Sequence, residues 1–248
     1  MKISKSYLYL VAIIFISVFS CAEKPKSESF SDTLITEWNS SDSTDIPNQE
    51  KFFPSVMIKP NKGDSSQPLG INDLKIDVKI TGNISTTTFE MTFYNDLDRI
   101  LEGELYFPLG EGKTVSRFAM DFDGKLREGV IVEKAKGRAV FETIVRGKVD
   151  PGLLEWTKGN NFKARVYPIP AKGFKKIVIA YEQNLIHTPT ESIYILPLGF
   201  KQKIKEFDLK IEILKQETKP QLNNNELTNL KFEKWKENYT FRLYRQQS

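Results

Sequence analysis

The chain has 248 residues, 27% charged and 40% hydrophobic, with a formal net charge of +4, one cysteine and one histidine. A single cysteine excludes an intramolecular disulfide, and so few His and Cys residues argue against a zinc site, which draws on several such ligands. The slight basic excess lacks clustered arginine with interleaved aromatics, which argues against a nucleic-acid partner.

The first element is a basic start, Lys2 and Lys5, followed by a nearly unbroken apolar run from Tyr7 to Phe19. As a helix this run would reach only about 20 Å, short of the ~30 Å hydrocarbon core, so its length suits a cleaved leader rather than a membrane span. Val18-Phe19-Ser20-Cys21-Ala22 follows and resembles the lipobox of bacterial lipoproteins, although Phe19 stands where a small or polar residue is usual. The resemblance implies cleavage between Ser20 and Cys21 and lipid attachment at Cys21. A nucleophilic sulfur must take the diacylglycerol, and a small neighbour lets the peptidase approach. Membrane association through the lipid, at ~0.8 kcal/mol per buried methylene, is then stable with two or three acyl chains. Ala22 resembles outer-membrane sorting, so the expected location is the cell envelope, on the outer membrane.

Residues 21–68 read as a flexible tether rich in Ser, Asp, Asn, Glu, Lys and Pro. The apolar residues of its first thirty positions (Phe30, Leu34, Ile35, Trp38, Ile46) keep no period, so that part cannot bury enough surface to offset its ordering entropy. A coil of roughly 45 residues spans about 35–40 Å. Phe52–Ile58 is an apolar island with the character of an edge strand.

From Leu69 the pattern changes to strands. Leu74–Ile80 and Thr88–Tyr94 alternate apolar and polar residues, Leu105–Phe107 runs to Pro108, and Ser116–Phe122 reaches the hairpin signal Asp123-Gly124, with Lys125–Val132 as its partner. One helix is expected over Glu133–Val145, with Ala135, Ala139, Val140 and Ile144 near one face and Gly147 as the stop. Phe162–Tyr167 and Lys176–Tyr181 are strands joined by a stiff Pro168–Gly173 turn. Further strands are expected at Ser192–Leu196, Phe207–Leu214, Leu227–Phe232 and Tyr239–Leu243. Many short strands with little helix predict a mainly β fold, an antiparallel β-sandwich with one short α-helix. The expected organisation is a leader (1–20), a tether (21–68), a sandwich (69–190) and C-terminal strands packing on or extending it (191–248).

Within this span several segments occur in an order similar to that of the VIT (vault protein inter-alpha-trypsin) domain family. They are Asp77–Ile84, Thr88–Asn95, Gly103–Leu109, Gly129–Phe141, Asp150–Glu155 and Phe162–Pro170. The resemblance covers about Leu69 to Leu185. It implies a sandwich core filled by the alternating apolar positions, a helix covering one end or edge of a sheet, and Leu153 and Leu154 pinning the loop that crosses after it. It implies no catalytic residue. Members of the family usually carry a von Willebrand factor type A domain next in the chain, whose metal site uses D-x-S-x-S. No such motif occurs here, since Asp42–Asp45 lacks the spacing.

Candidate reactive groups are few. Gly110-Glu111-Gly112-Lys113-Thr114 lacks the first glycine of a phosphate-binding loop, that position being Phe107, and joins strands rather than opening a helix. His187 has no G-x-S-x-G elbow to serve and reads as an exposed loop residue before Thr188-Pro189. Asp121 and Asp123 flank a hairpin turn, where acidic residues serve turn and solvation roles. Trp156 and Trp235 could stack on a sugar, but packing in the core is the expected role of both.

These readings converge on a non-enzymatic envelope lipoprotein with no cofactor or metal. Its expected partners are the membrane, through the lipid, and an envelope protein bound by the VIT-like module. The alternatives are a glycan-binding lipoprotein, or the front part of a VIT plus type A adhesin-like protein.

Overall fold

The computed structural model describes residues 11–18, 54–61, 63–133, 153–199, 204–223 and 231–246. These hold strands in three sheets and no helix. The largest sheet has eight strands in the order β17 (Glu233–Trp235), β18 (Asn238–Gln246), β15 (Glu206–Leu214), β4 (Ile71–Thr81), β5 (Ile84–Tyr94), β12 (Phe174–Asn184), β7 (Lys113–Phe122) and β8 (Lys125–Glu128). The second has six: β3 (Gln67–Pro68), β2 (Ser55–Ile58), β6 (Leu101–Pro108), β11 (Asn161–Ile169), β10 (Leu153–Thr157) and β9 (Val130–Glu133). The third has four: β13 (Ile186–His187), β14 (Ser192–Gly199), β1 (Val11–Val18) and β16 (Gln221–Asn223).

Period-two alternation makes the layers. In β5 every second residue from Ser85 to Phe93 is buried, and β4, β12 and β15 present Ile76, Ile179 and Leu209 to the same interior. Phe107 of β6 meets Phe89 of β5 edge-on at 6.2 Å and lies 6.2 Å from Tyr181 of β12. Tyr194 of β14 shares a 2.6 Å hydrogen bond with Thr87 of β5. Phe89, Thr87 and Tyr181 project from one face of the eight-stranded sheet, so both smaller sheets lie over that face and one core joins all three. Each aromatic contact contributes ~0.5–1.5 kcal/mol beyond its buried area.

Several expectations are corrected. The sandwich is mixed rather than antiparallel: β15 runs parallel to β4 over nine residue pairs, and β9 runs parallel to β10. Alternation is the same in both orientations, so only the pairing reveals it. The hairpin at Asp123-Gly124 is present, with φ of 51° and 74° at its two central residues, the mirror-image turn that suits strand twist. Its partner strand is not continuous to Val132. It ends at Glu128, and at Gly129, whose N–H donates to the Phe118 carbonyl at 2.8 Å, the chain leaves one sheet and enters the other as β9. The helix expected over Glu133–Val145 is not supported: Glu133 closes β9, and the rest of the segment lies outside the described residues.

The strand expected at Leu227–Phe232 falls mostly outside the described residues, and β17 begins only at Glu233. The folded body also starts before Leu69. Ser55–Ile58 pairs with β6 and with β3, so the last part of the stretch read as tether contributes two strands. Gly103 of β6 explains the close fit: an added Cβ there would lie 2.8 Å from Val56 Cγ1.

Candidate functional site

β6 and β11 are neighbours, and alternation turns Glu102, Glu104 and Tyr106 of the first and Lys163, Arg165 and Tyr167 of the second to the outer face of the six-stranded sheet. Arg165 grips Glu102 through two hydrogen bonds, Nε to Oε1 at 2.7 Å and Nη2 to Oε2 at 3.0 Å. Lys163 Nζ lies 3.6 Å from Glu104 Oε1 and 4.2 Å above the Tyr106 ring. The Tyr106 hydroxyl in turn donates to Glu104, and Glu155 of β10 stands opposite Lys163. This ladder floors an open cleft of about 940 Å³, whose walls include Met57, Lys59, Asn61, Arg99, Ile100 and Phe122.

The electrostatics follow from the pairing. The Arg165 guanidinium hydrogen-bonded to Glu102 holds its carboxyl below the usual value. Burial pulls the Lys163 amine down, but the Tyr106 and Glu104 partners outweigh it and hold the amine above its usual value. Both shifts keep these side chains ionised at neutral pH. Such groups can orient a polar ligand, and none of them is shifted toward taking or giving a proton there. Among the described residues no cluster of three His, Cys, Asp or Glu side chains could hold a metal ion.

The expected site residues are scattered. Ser20 and Cys21, the expected cleavage and lipidation residues, lie outside the described residues. Part of the expected leader, Val11–Val18, is described as β1. His187 is exposed in β13, its Nδ1 2.8 Å from Ser192 Oγ. Asp123 occupies the hairpin turn. The Asp121 backbone carbonyl accepts a 2.5 Å hydrogen bond from Lys175 Nζ, and Lys175, 2% exposed, also lies 4.4 Å from the Phe122 ring centre. Gly110–Gly112 joins β6 to β7, and Asn160 Nδ2 donates to the carbonyls of Gly110 at 2.5 Å and Lys113 at 2.7 Å.

The two tryptophans depart from expectation. Trp156 is 49% exposed and Trp235 67%, so neither is a core residue. Trp156 stands one residue from the end of a five-residue strand, and Trp235 is the last strand residue before the Lys236-Glu237 turn of an edge hairpin. They belong to different sheets, and the fold does not bring them into one site.

Two arrangements escaped the sequence reading. The outer ladder was signalled by acidic Glu102 and Glu104 at alternate positions of one strand and basic Lys163 and Arg165 at alternate positions of another. Only the pairing of β6 with β11 joins them. The second is Asn95, fully buried just after β5. Its Nδ2 donates to the carbonyls of Arg99 (2.8 Å), Pro170 (2.8 Å) and Ile169 (3.4 Å), and its Oδ1 accepts from Leu97 N–H at 3.0 Å. One side chain thereby ties the β5 exit to the turn before β12.

No curated protein matches the chain in sequence. Among solved structures, it is similar to a Legionella pneumophila protein named provisionally as nutrient-binding, at 11% identity and a TM-score of 0.42, over 78% of this chain and 65% of that one. It is also similar to an M1 zinc metallopeptidase variant from Deinococcus radiodurans, at 8% identity and a TM-score of 0.39, over 79% of this chain and 41% of that one. The chain thus spans less than two thirds of either structure. The family model for the Vault protein inter-alpha-trypsin domain matches residues 71–181, a span running from the start of β4 into β12 and including the β6–β11 ladder. Over those residues the chain carries a VIT domain.

Proposed function

We propose that this protein is a non-catalytic, lipid-anchored lipoprotein of the cell envelope whose VIT domain binds a protein partner.

 The observation that carries this reading is the β6–β11 ladder. It forms the floor of an open cleft of about 940 Å³, where acidic and basic side chains are paired with one another and framed by Tyr167 and Met57. A partner with its own mixed charges can exchange into such pairs, with aromatic and methionine side chains supplying apolar contact. The apolar run before Ser20-Cys21 supports delivery to the envelope. The tether between Cys21 and β2 supports display away from the lipid surface.

The test is crosslinking in intact cells followed by capture of the full-length lipidated protein. A defined envelope protein should be recovered with the wild type and lost with the charge reversal Arg165→Glu, which leaves Glu102 facing a like charge. Recovery of no partner, or equal recovery with the reversed charge, contradicts the assignment.

The exposure of Trp156 and Trp235 favours a second reading, a glycan-binding lipoprotein, because an exposed indole offers a flat apolar face for a sugar ring. Titrating tryptophan fluorescence with cell-wall glycans separates the two. A saturable shift that disappears in Trp156→Ala or Trp235→Ala supports the glycan, and an unchanged spectrum rejects it.

A further inference from the structure

Val11–Val18 belongs to the apolar run that reads as a cleaved leader, yet in the fold it is β1, an interior strand. It pairs antiparallel with β14 along its whole length, from Val11↔Gly199 to Val18↔Ser192. On its other side it pairs with β16, from Phe15↔Asn223 to Ser17↔Gln221. Cleavage between Ser20 and Cys21 would take this strand away. β14 and β16 would then flank a slot about 10 Å across, two strand spacings, with the backbone groups that β1 had paired left open.

The slot borders the core. Tyr194, Leu196 and Leu198 of β14 are buried in the common hydrophobic cluster, and Leu222 of β16 packs against it. Its occupant therefore needs an extended backbone to complete both ladders and apolar side chains on its inner face. The sequence Val-Ala-Ile-Ile-Phe-Ile-Ser-Val, seated there now, has that chemistry. The tether does not: Phe30, Leu34, Ile35, Trp38 and Ile46 never form an apolar run of this length. A second processed copy would have lost the same strand.

We infer that the processed lipoprotein accepts an extended apolar strand of about eight residues from another envelope protein, antiparallel to β14, in the slot the leader vacates. The leader fills the slot in the precursor and keeps the edges of β14 and β16 covered until processing. Strand addition of this kind draws affinity from main-chain hydrogen bonds and specificity from alternate side chains. The inference rests on the leader reading of the proposed function.

The test compares the full-length processed protein in detergent with the Cys21→Ser precursor. Intact mass is measured first for both. The probe is a labelled peptide of residues 11–18 flanked by lysines, and a control peptide carries Ile14→Pro and Ile16→Pro. The processed protein should bind the probe saturably, with amide exchange at residues 192–199 and 221–223 slowed at least tenfold. The precursor should bind neither peptide, and the proline peptide should bind neither protein. A wild-type protein that retains residues 1–20 overturns both the leader reading and this inference. A correctly processed protein that ignores the probe, or that already protects residues 192–199 as well as the precursor does, overturns the inference alone.

Discussion

Asn95 and the Glu102–Arg165 pair are both polar contacts between segments far apart in sequence, but they sit on opposite sides of the burial boundary. Asn95 is fully buried, and its amide bonds two carbonyls and an N–H at the edge of the core, where solvent reaches only in part. Glu102 and Arg165 are each more than half exposed, although their contact is bidentate. The difference lies in what each polar group meets when its partner is removed. Next to Asn95 water can replace the lost partner only in part, and next to Arg165 it does so freely. The buried amide thus holds the fold, while the exposed pair is available for recognition.

The largest expected effect is at Asn95. Asn95→Ala leaves the Arg99 and Pro170 carbonyls and the Leu97 N–H without their partner, and should lower unfolding stability by about 3 kcal/mol, read as a reduced urea midpoint at unchanged slope. An Asn95→Ala protein as stable as the wild type would erase the contrast between the two regions.

Tyr194→Phe is intermediate, because it deletes a single buried hydroxyl and its hydrogen bond to Thr87. The expected loss is about 1–2 kcal/mol at neutral pH. Burial holds the Tyr194 phenol well above its usual value of 10.0. The unfolded chain therefore ionises first, so the stabilisation is complete below about pH 10 and declines as pH rises from there toward the folded value. Tyr194→Phe should flatten that alkaline decline in thermal melts, and an unchanged decline would remove the phenol from the account.

The smallest expected effect is at Arg165. Arg165→Ala should cost only about 0.2–1 kcal/mol, and the difference should vanish at 1 M salt, where the Debye length falls to about 3 Å. Its loss should be felt in partner capture instead. A large, salt-independent destabilisation would show that the ladder is structural.

Much of the sheet content was legible because its signals are local. Alternation over Leu74–Ile80 and Thr88–Tyr94 and the Asp123-Gly124 turn depend only on near neighbours, and the VIT order of segments depends on the chain itself. The chemistry of the candidate cleft was visible only in halves, as acids on one strand and bases on another. Alternation separates the two faces of a strand but does not say which strand lies next to it. It therefore concealed the ladder, the parallel pairing of β4 with β15, and the change of sheet at Gly129. The two tryptophans were misjudged for a related reason: residue type favours burial, but only packing in the fold grants it, and Trp156 and Trp235 stay 49% and 67% exposed.

By itself, then, the sequence determined the strand-rich body, the hairpin at Asp123-Gly124 and the VIT segment order, all of which rest on the period-two backbone and local turn chemistry. Tertiary structure alone decided which strands are neighbours, which polar groups are buried with Asn95, and which are left outside with Arg165. Those outcomes depend on long-range pairing, where contacts distant in sequence set the burial, and burial sets the energy of every polar group.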